Sequence, residues 1–114
     1  CFTEAAMAEY IRCFSNPATI HASCEDYRAA ASVDLEHDRN DRASETKINC
    51  PTLVLWGEKG AMGQCYDVFE TWQEKCSVVT GKGLPCGHFL AEEAPDETYD
   101  AFIGFFNKIV VTDL

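Results

Sequence analysis

Apolar residues recur at helical spacing from the start of the chain. Met7, Tyr10, Ile11 and Phe14 fall at i, i+3, i+4 and i+7, one face of a helix that Thr3 can cap and that should end near Ser15. Asn16-Pro17 then supplies a cap followed by proline at the first helical position, where its missing N–H costs nothing. Ile20, Cys24, Tyr27 and Ala31 share the apolar stripe of the helix that follows, so the pattern alone makes Tyr27 a core aromatic. From Asp34 to Glu45 the residues are almost wholly polar, which predicts a solvated connector.

The periodicity then changes. Thr52-Leu53-Val54-Leu55-Trp56, closed by Gly57, is a continuous apolar run without polar alternation, which suits a strand buried on both faces of a parallel sheet. A loop from Glu58 to Gln64 leads to a helix with Cys65, Val68, Phe69 and Trp72 on one face, and Cys76-Ser77-Val78-Val79-Thr80 reads as a second strand. Strand, helix, strand in that order makes the two strands parallel through a right-handed crossover. Ala94-Pro95-Asp96-Glu97 opens a last helix with proline and two acids in its first turn, and Thr98, Ala101, Phe102, Phe105, Phe106 and Ile109 form its apolar face. Two strands of buried type leave unpaired edges, so further strands are expected upstream. The chain also opens at Cys1 directly into a helical pattern, and is expected to be a piece of something longer.

Composition narrows the function classes. With 114 residues, 46% hydrophobic and 25% charged, the chain describes an ordinary globular protein. A formal charge of -10 argues against nucleic acid, whose phosphates need clustered Lys and Arg. No apolar run approaches the roughly 20 residues that cross a bilayer, and Cys1-Phe2-Thr3-Glu4 lacks a basic signal-peptide start, so no membrane role is expected. Seven cysteines without a C-x-x-C pair suggest neither a disulfide framework nor a zinc ribbon. Cys13, Cys24, Cys50 and Cys65 sit beside apolar residues and are expected to be buried free thiols, in a reducing, cytoplasmic setting. Glu36-His37-Asp38 and Asp41 lack the helical spacing of a zinc pair; no metal and no cofactor is expected.

The chemistry centres on Leu84-Pro85-Cys86-Gly87-His88-Phe89-Leu90, where the chain turns at Gly87 and presents a histidine just before a helical segment. Such a histidine can exchange protons near neutral pH. Spacing alone also allows it a local packing or capping role.

These residues carry a family likeness. Strand, Trp56-Gly57, helix, strand, Gly87-His88-Phe89 and the acidic Ala94-Pro95-Asp96-Glu97 helix resemble the C-terminal end of an α/β hydrolase, with Cys86 to Asp96 similar to the histidine loop of that superfamily. Cys24-Glu25-Asp26-Tyr27-Arg28-Ala29-Ala30, followed by Asp34-Leu35-Glu36-His37-Asp38, resembles the haloacetate (fluoroacetate) dehalogenases. The likeness implies an α/β fold, a C-terminal fragment of an α/β hydrolase. Residues 1–46 would be the end of a helical cap and its connector, and residues 47–114 the last two parallel strands and flanking helices of the core. It implies that an aspartate displaces halide from a 2-haloacid to form an ester, that His88 deprotonates the water that hydrolyses it, and that Tyr27 donates its hydroxyl to the departing halide. Its partners would be the haloacid, water and the rest of the same fold, and the related enzymes are commonly homodimers.

The departures matter equally. The chain has no G-x-D-x-G or G-x-S-x-G elbow, so the nucleophile lies outside it. Glu58 stands where many α/β hydrolases place the orienting acid, but the dehalogenases carry theirs a strand earlier, so Glu58 is expected to be solvated; Ala61 either lines the pocket or makes a plain turn. An epoxide hydrolase shares the aspartate and histidine chemistry, a serine esterase differs at the elbow, and a truncated interaction protein would use the helix carrying Phe102, Phe105 and Phe106.

Overall fold

A computed structural model describes residues 1–112 of the chain, which forms two compact units, Cys1–Thr46 and Lys47 onward. The first unit is helical: α1 (Glu4–Phe14), α2 (Pro17–Ala30) and α3 (Val33–Ala43). The side chain of Thr3 accepts the Ala6 N–H at 3.1 Å and that of Asn16 the Ala18 N–H at 2.9 Å, so both predicted caps form. Met7, Tyr10, Ile11, Phe14 and Ile20 all remain exposed within this unit.

The polar stretch from Asp34 is helical rather than a loose connector. It lacks an apolar stripe, yet Asp34 and Glu36 occupy the first turn of α3 and Arg42 the last, matching the helix dipole at both ends. Glu45 ends the helix at φ 53°, with its N–H donating to Arg42 O and the Thr46 N–H to Asp41 O, the paired bonds of a Schellman cap. The stretch is exposed throughout, as its composition requires.

In the second unit the order is β1 (Thr52–Gly57), α4 (Ala61–Cys65), α5 (Val68–Lys75), β2 (Val79–Leu84), α6 (Leu90–Glu93) and α7 (Pro95–Thr112). The two strands pair in parallel, from Thr52 opposite Val79 to Gly57 opposite Leu84. The second strand therefore lies later than the Cys76–Thr80 run suggested; Cys76 makes only an isolated bridge to Ile48. Gly81 and Gly83 extend it, Gly81 for a steric reason. A Cβ on Gly81 would stand 2.6 Å from Val54 O, a backbone atom, so the strands pair there only around bare backbone, whereas one on Gly83 would meet the movable Glu58 side chain, 2.5 Å from Cγ.

The helix predicted from Cys65 starts later, at Val68, and part of the predicted loop, Ala61–Cys65, is itself helical. Asp67 caps α5, accepting the Glu70 N–H at 2.8 Å, and the preceding turn is already helical as α4. On α7, Thr98 is buried, and Ala101, Phe105 and Ile109 are half-buried beside a hollow of about 450 Å³ that Leu53 and Leu55 also line. Phe102 and Phe106 stay exposed, so within this unit the apolar face of α7 is narrower than the sequence pattern.

The cysteine expectation fails for a related reason. Cys24, Cys50 and Cys65 are exposed and Cys13 only half-buried, because they lie on the thin helical unit, a connecting loop and the end of α4. The buried thiols are Cys76 and Cys86. Cys86 forms a small core with Leu84 and Ala94, against which Leu90 packs, and this core sits directly beneath the histidine loop.

Candidate active site

The loop from Pro85 to Phe89 is held from both sides, by main chain on one and by a carboxylate on the other. On the strand side, Leu84 O accepts the Glu58 N–H at 2.9 Å and Cys86 O accepts the Lys59 N–H at 3.0 Å, so the loop continues the pairing of β1 and β2 past the sheet. Gly57 lies against it so closely that a Cβ there would fall 1.6 Å from Gly87 O. Trp56-Gly57 is thus the point where the end of β1 meets the backbone next to the histidine, and only glycine fits.

On the helix side the loop is held by one carboxylate. Glu93 Oε2 accepts the Gly87 N–H at 2.7 Å and Oε1 accepts the Phe89 N–H at 3.0 Å, bracketing His88. The Glu93 N–H returns to Phe89 O at 2.8 Å, so one turn of chain is closed in both directions. The Gly87 and Phe89 N–H groups, and more weakly Lys59, hold the Glu93 carboxyl below the usual carboxylate range against a smaller opposing effect of burial. Burial, and then the charges of Glu93 and Glu97, push the Cys86 thiol up, which keeps it protonated and unreactive.

Within this frame His88 is exposed. Its ring packs edge-on against Phe89, with centroids 5.0 Å apart and planes at 82°. The turn at Gly87 needs no left-handed backbone, since no glycine among the described residues has positive φ. Its glycine lets the Glu93 carboxylate come close: a Cβ would stand 2.8 Å from Glu93 Oε2 and 3.0 Å from Oε1, so the carboxylate would have to shift. The arrangement is a rigid main-chain seat carrying an accessible imidazole, suited to taking a proton from water or substrate.

Tyr27 lies in the first unit and His88 in the second. Tyr27 is 80% exposed, so it is not the core aromatic that its place on the α2 stripe suggested. It borders a hollow of about 450 Å³ with Phe14, Ile20, Ser23, Cys24 and Arg28. Arg28 is paired with Glu25, one turn earlier on the same helix. The phenol therefore sits at an apolar hollow with its hydroxyl end accessible. Glu58 and Ala61 are exposed, and Glu58 leans over Gly83. Among the described residues no three His, Cys, Asp or Glu side chains are placed to hold a metal ion. Nor is any described helix long and apolar enough to cross a membrane.

Glu93 lies within the Cys86 to Asp96 stretch read as a histidine loop, but the sequence pattern assigned it no part. The signal was present: an acid in the first turn after the loop is the usual device for satisfying N–H groups at a helix start.

No family model matches the chain. It is 34% identical to a fluoroacetate dehalogenase from Burkholderia sp over 97 residues, covering 85% of this chain and 31% of that protein. It is 33% identical to a soluble epoxide hydrolase from Corynebacterium sp. (strain C12), over 92% of this chain and 35% of that protein. A crystal structure from Nostoc sp PCC 7120, classed as an alpha/beta hydrolase, superposes with a TM-score of 0.84 at 63% identity, covering 92% of this chain and 35% of that one. The chain spans about a third of the length of the curated relatives it matches. Its fold is α/β, that of the C-terminal part of an α/β hydrolase, and its relatives are hydrolases.

Proposed function

We propose that this chain is the portion of a haloacetate dehalogenase that supplies the catalytic base, His88, and one halide donor, Tyr27. The observation that carries this reading is an exposed imidazole seated on a loop clamped from both sides. The likeness to a fluoroacetate dehalogenase over 85% of the chain supports it. In the first step a carboxylate oxygen, from an aspartate outside this chain, bonds to the 2-carbon of the haloacid as the carbon–halogen bond breaks and halide leaves with the bonding pair. A hydroxyl at Tyr27 stabilises the charge that develops on the halide. In the second step His88 takes a proton from water while the water oxygen adds to the ester carbonyl. Collapse expels the 2-hydroxyacid oxygen, which recovers the proton, and frees the aspartate.

A second reading is favoured by the 33% identity to a soluble epoxide hydrolase over 92% of the chain. The ester and the histidine base are the same there, and Tyr27 would protonate the epoxide oxygen. One experiment separates the two: the full-length protein is offered fluoroacetate, chloroacetate and a simple epoxide. Halide release, with His88→Ala retaining ester formation but trapping the ester as a mass increase, is the expected result. Epoxide opening without halide release from any 2-haloacid would overturn the dehalogenase reading in favour of the epoxide hydrolase.

A further inference from the structure

We infer that Glu93 is the positioning residue for His88: by accepting the N–H groups on either side of it, the carboxylate sets where the imidazole stands. This deepens the proposed function and rests on it. The strand side of the loop cannot yield, because Gly57 abuts Gly87 O and the Lys59 N–H holds Cys86 O. The helix side has no comparable wall. There the main chain around His88 is held by the Glu93 carboxylate, with bonds of 2.7 and 3.0 Å to Gly87 and Phe89. Charge-assisted bonds of this kind are stronger than bonds between neutral groups. A Cβ on residue 87 would press on this same carboxylate, at 2.8 Å from Oε2.

The geometry separates Glu93 from the acid that orients the imidazole of a hydrolytic triad. Both of its oxygens are engaged by backbone, on the two residues flanking His88. Its charge is favoured by those same bonds and by Lys59, so it acts as an ionised acceptor and not as a proton donor. It works through the position of the base and touches no reacting atom.

The consequence is step-specific. His88 serves the hydrolysis of the ester, whereas ester formation depends on the nucleophile and the halide donors. Removing Glu93 should therefore slow the second step and spare the first. The test is single-turnover kinetics on the full-length protein, following halide release and ester decay separately in Glu93→Ala, Glu93→Gln and His88→Ala. Glu93→Ala is expected to slow ester decay on the order of 10²-fold, as displacing a catalytic group by about 1 Å can, with the halide burst rate and kcat/KM retained. Glu93→Gln keeps one acceptor oxygen and should fall between Glu93→Ala and the parent.

Unchanged ester decay in Glu93→Ala, beside a trapped ester in His88→Ala, would overturn the positioning role alone. A parallel fall in both steps would also overturn it, since that marks a general loss of structure. Normal turnover in His88→Ala would instead sink the reading of the site, and Glu93 with it.

Discussion

The close approach of Gly57 to the histidine loop gives a sharp test. Replacing Gly57 by alanine would put a Cβ 1.6 Å from Gly87 O, 2.7 Å from Gly87 C and 2.8 Å from Cys86 O. All three are backbone atoms, so no side-chain rotation relieves the clash. To restore an ordinary contact of 3.4 Å, the Gly87 carbonyl must retreat by about 1.8 Å, the difference between the two distances. Such a movement strains the Lys59 bond to Cys86 O and the Glu93 bond to Gly87, and it carries His88, the next residue, with it. Overpacking of this kind costs roughly 1–3 kcal/mol in stability. A base displaced by about 1 Å or more loses on the order of 10²-fold in rate. The expected result in the full-length protein is a folded variant with a lower urea midpoint and a kcat reduced by about that factor, with ester accumulating during turnover. Gly104→Ala is the control, because nothing lies within 4 Å of a Cβ there and alanine in the interior of α7 should add about 1 kcal/mol. A Gly57→Ala enzyme with parental kcat and parental urea midpoint would refute the claim that the end of β1 fixes the loop.

Three further outcomes follow from the geometry. Leu84 is 1% exposed beneath the loop, so Leu84→Ala should lower stability by about 2–5 kcal/mol by urea denaturation, and a loss too small to measure would count against this core. Glu93 titrates below its ordinary value when folded, so its contribution to stability is present above the unfolded carboxyl pKa and is lost as pH falls through the folded one. The gap in urea midpoint between the parent and Glu93→Gln should accordingly shrink on acidification, and a gap that widens would contradict the sign. Tyr27 is 80% exposed in its unit, so Tyr27→Phe should leave the urea midpoint unchanged while slowing halide release and sparing ester decay; an unaltered halide burst would remove Tyr27 from the halide site.

What the sequence disclosed tracks the range of the forces involved. The caps at Thr3 and Asn16 and the start of α7 at Pro95 were legible because each depends on neighbours within a few residues. The parallel pairing followed from element order. The position of β2 did not, because Gly81-Lys82-Gly83 is a weak strand sequence and Gly81 answers to the Val54 carbonyl, far away along the chain. The helix from Val33 to Ala43 was missed because its support comes from charges at its ends and a Schellman close rather than an apolar stripe. Cysteine burial was misjudged from neighbours in sequence, when it depends on which elements have anything packed over them. At the candidate site, His88 stood out by residue type. Glu93 and Gly57 did not, since both act on main-chain atoms, which leave no signature in side-chain chemistry.

Thr98, buried at the first turn of α7, donates its hydroxyl to Ala94 O at 2.7 Å and approaches Leu90 O at 3.2 Å, joining α6 to α7 beneath the histidine loop. Glu93, on the α6 turn that Thr98 ties down, in turn holds the amides of Gly87 and Phe89. Their protons are bonded to a carboxylate, so they should exchange with deuterated water more slowly than unbonded amides at the surface. His88 is then an exposed ring, able to change rotamer on a fast timescale, flanked by two amides that move only when their bonds to Glu93 break.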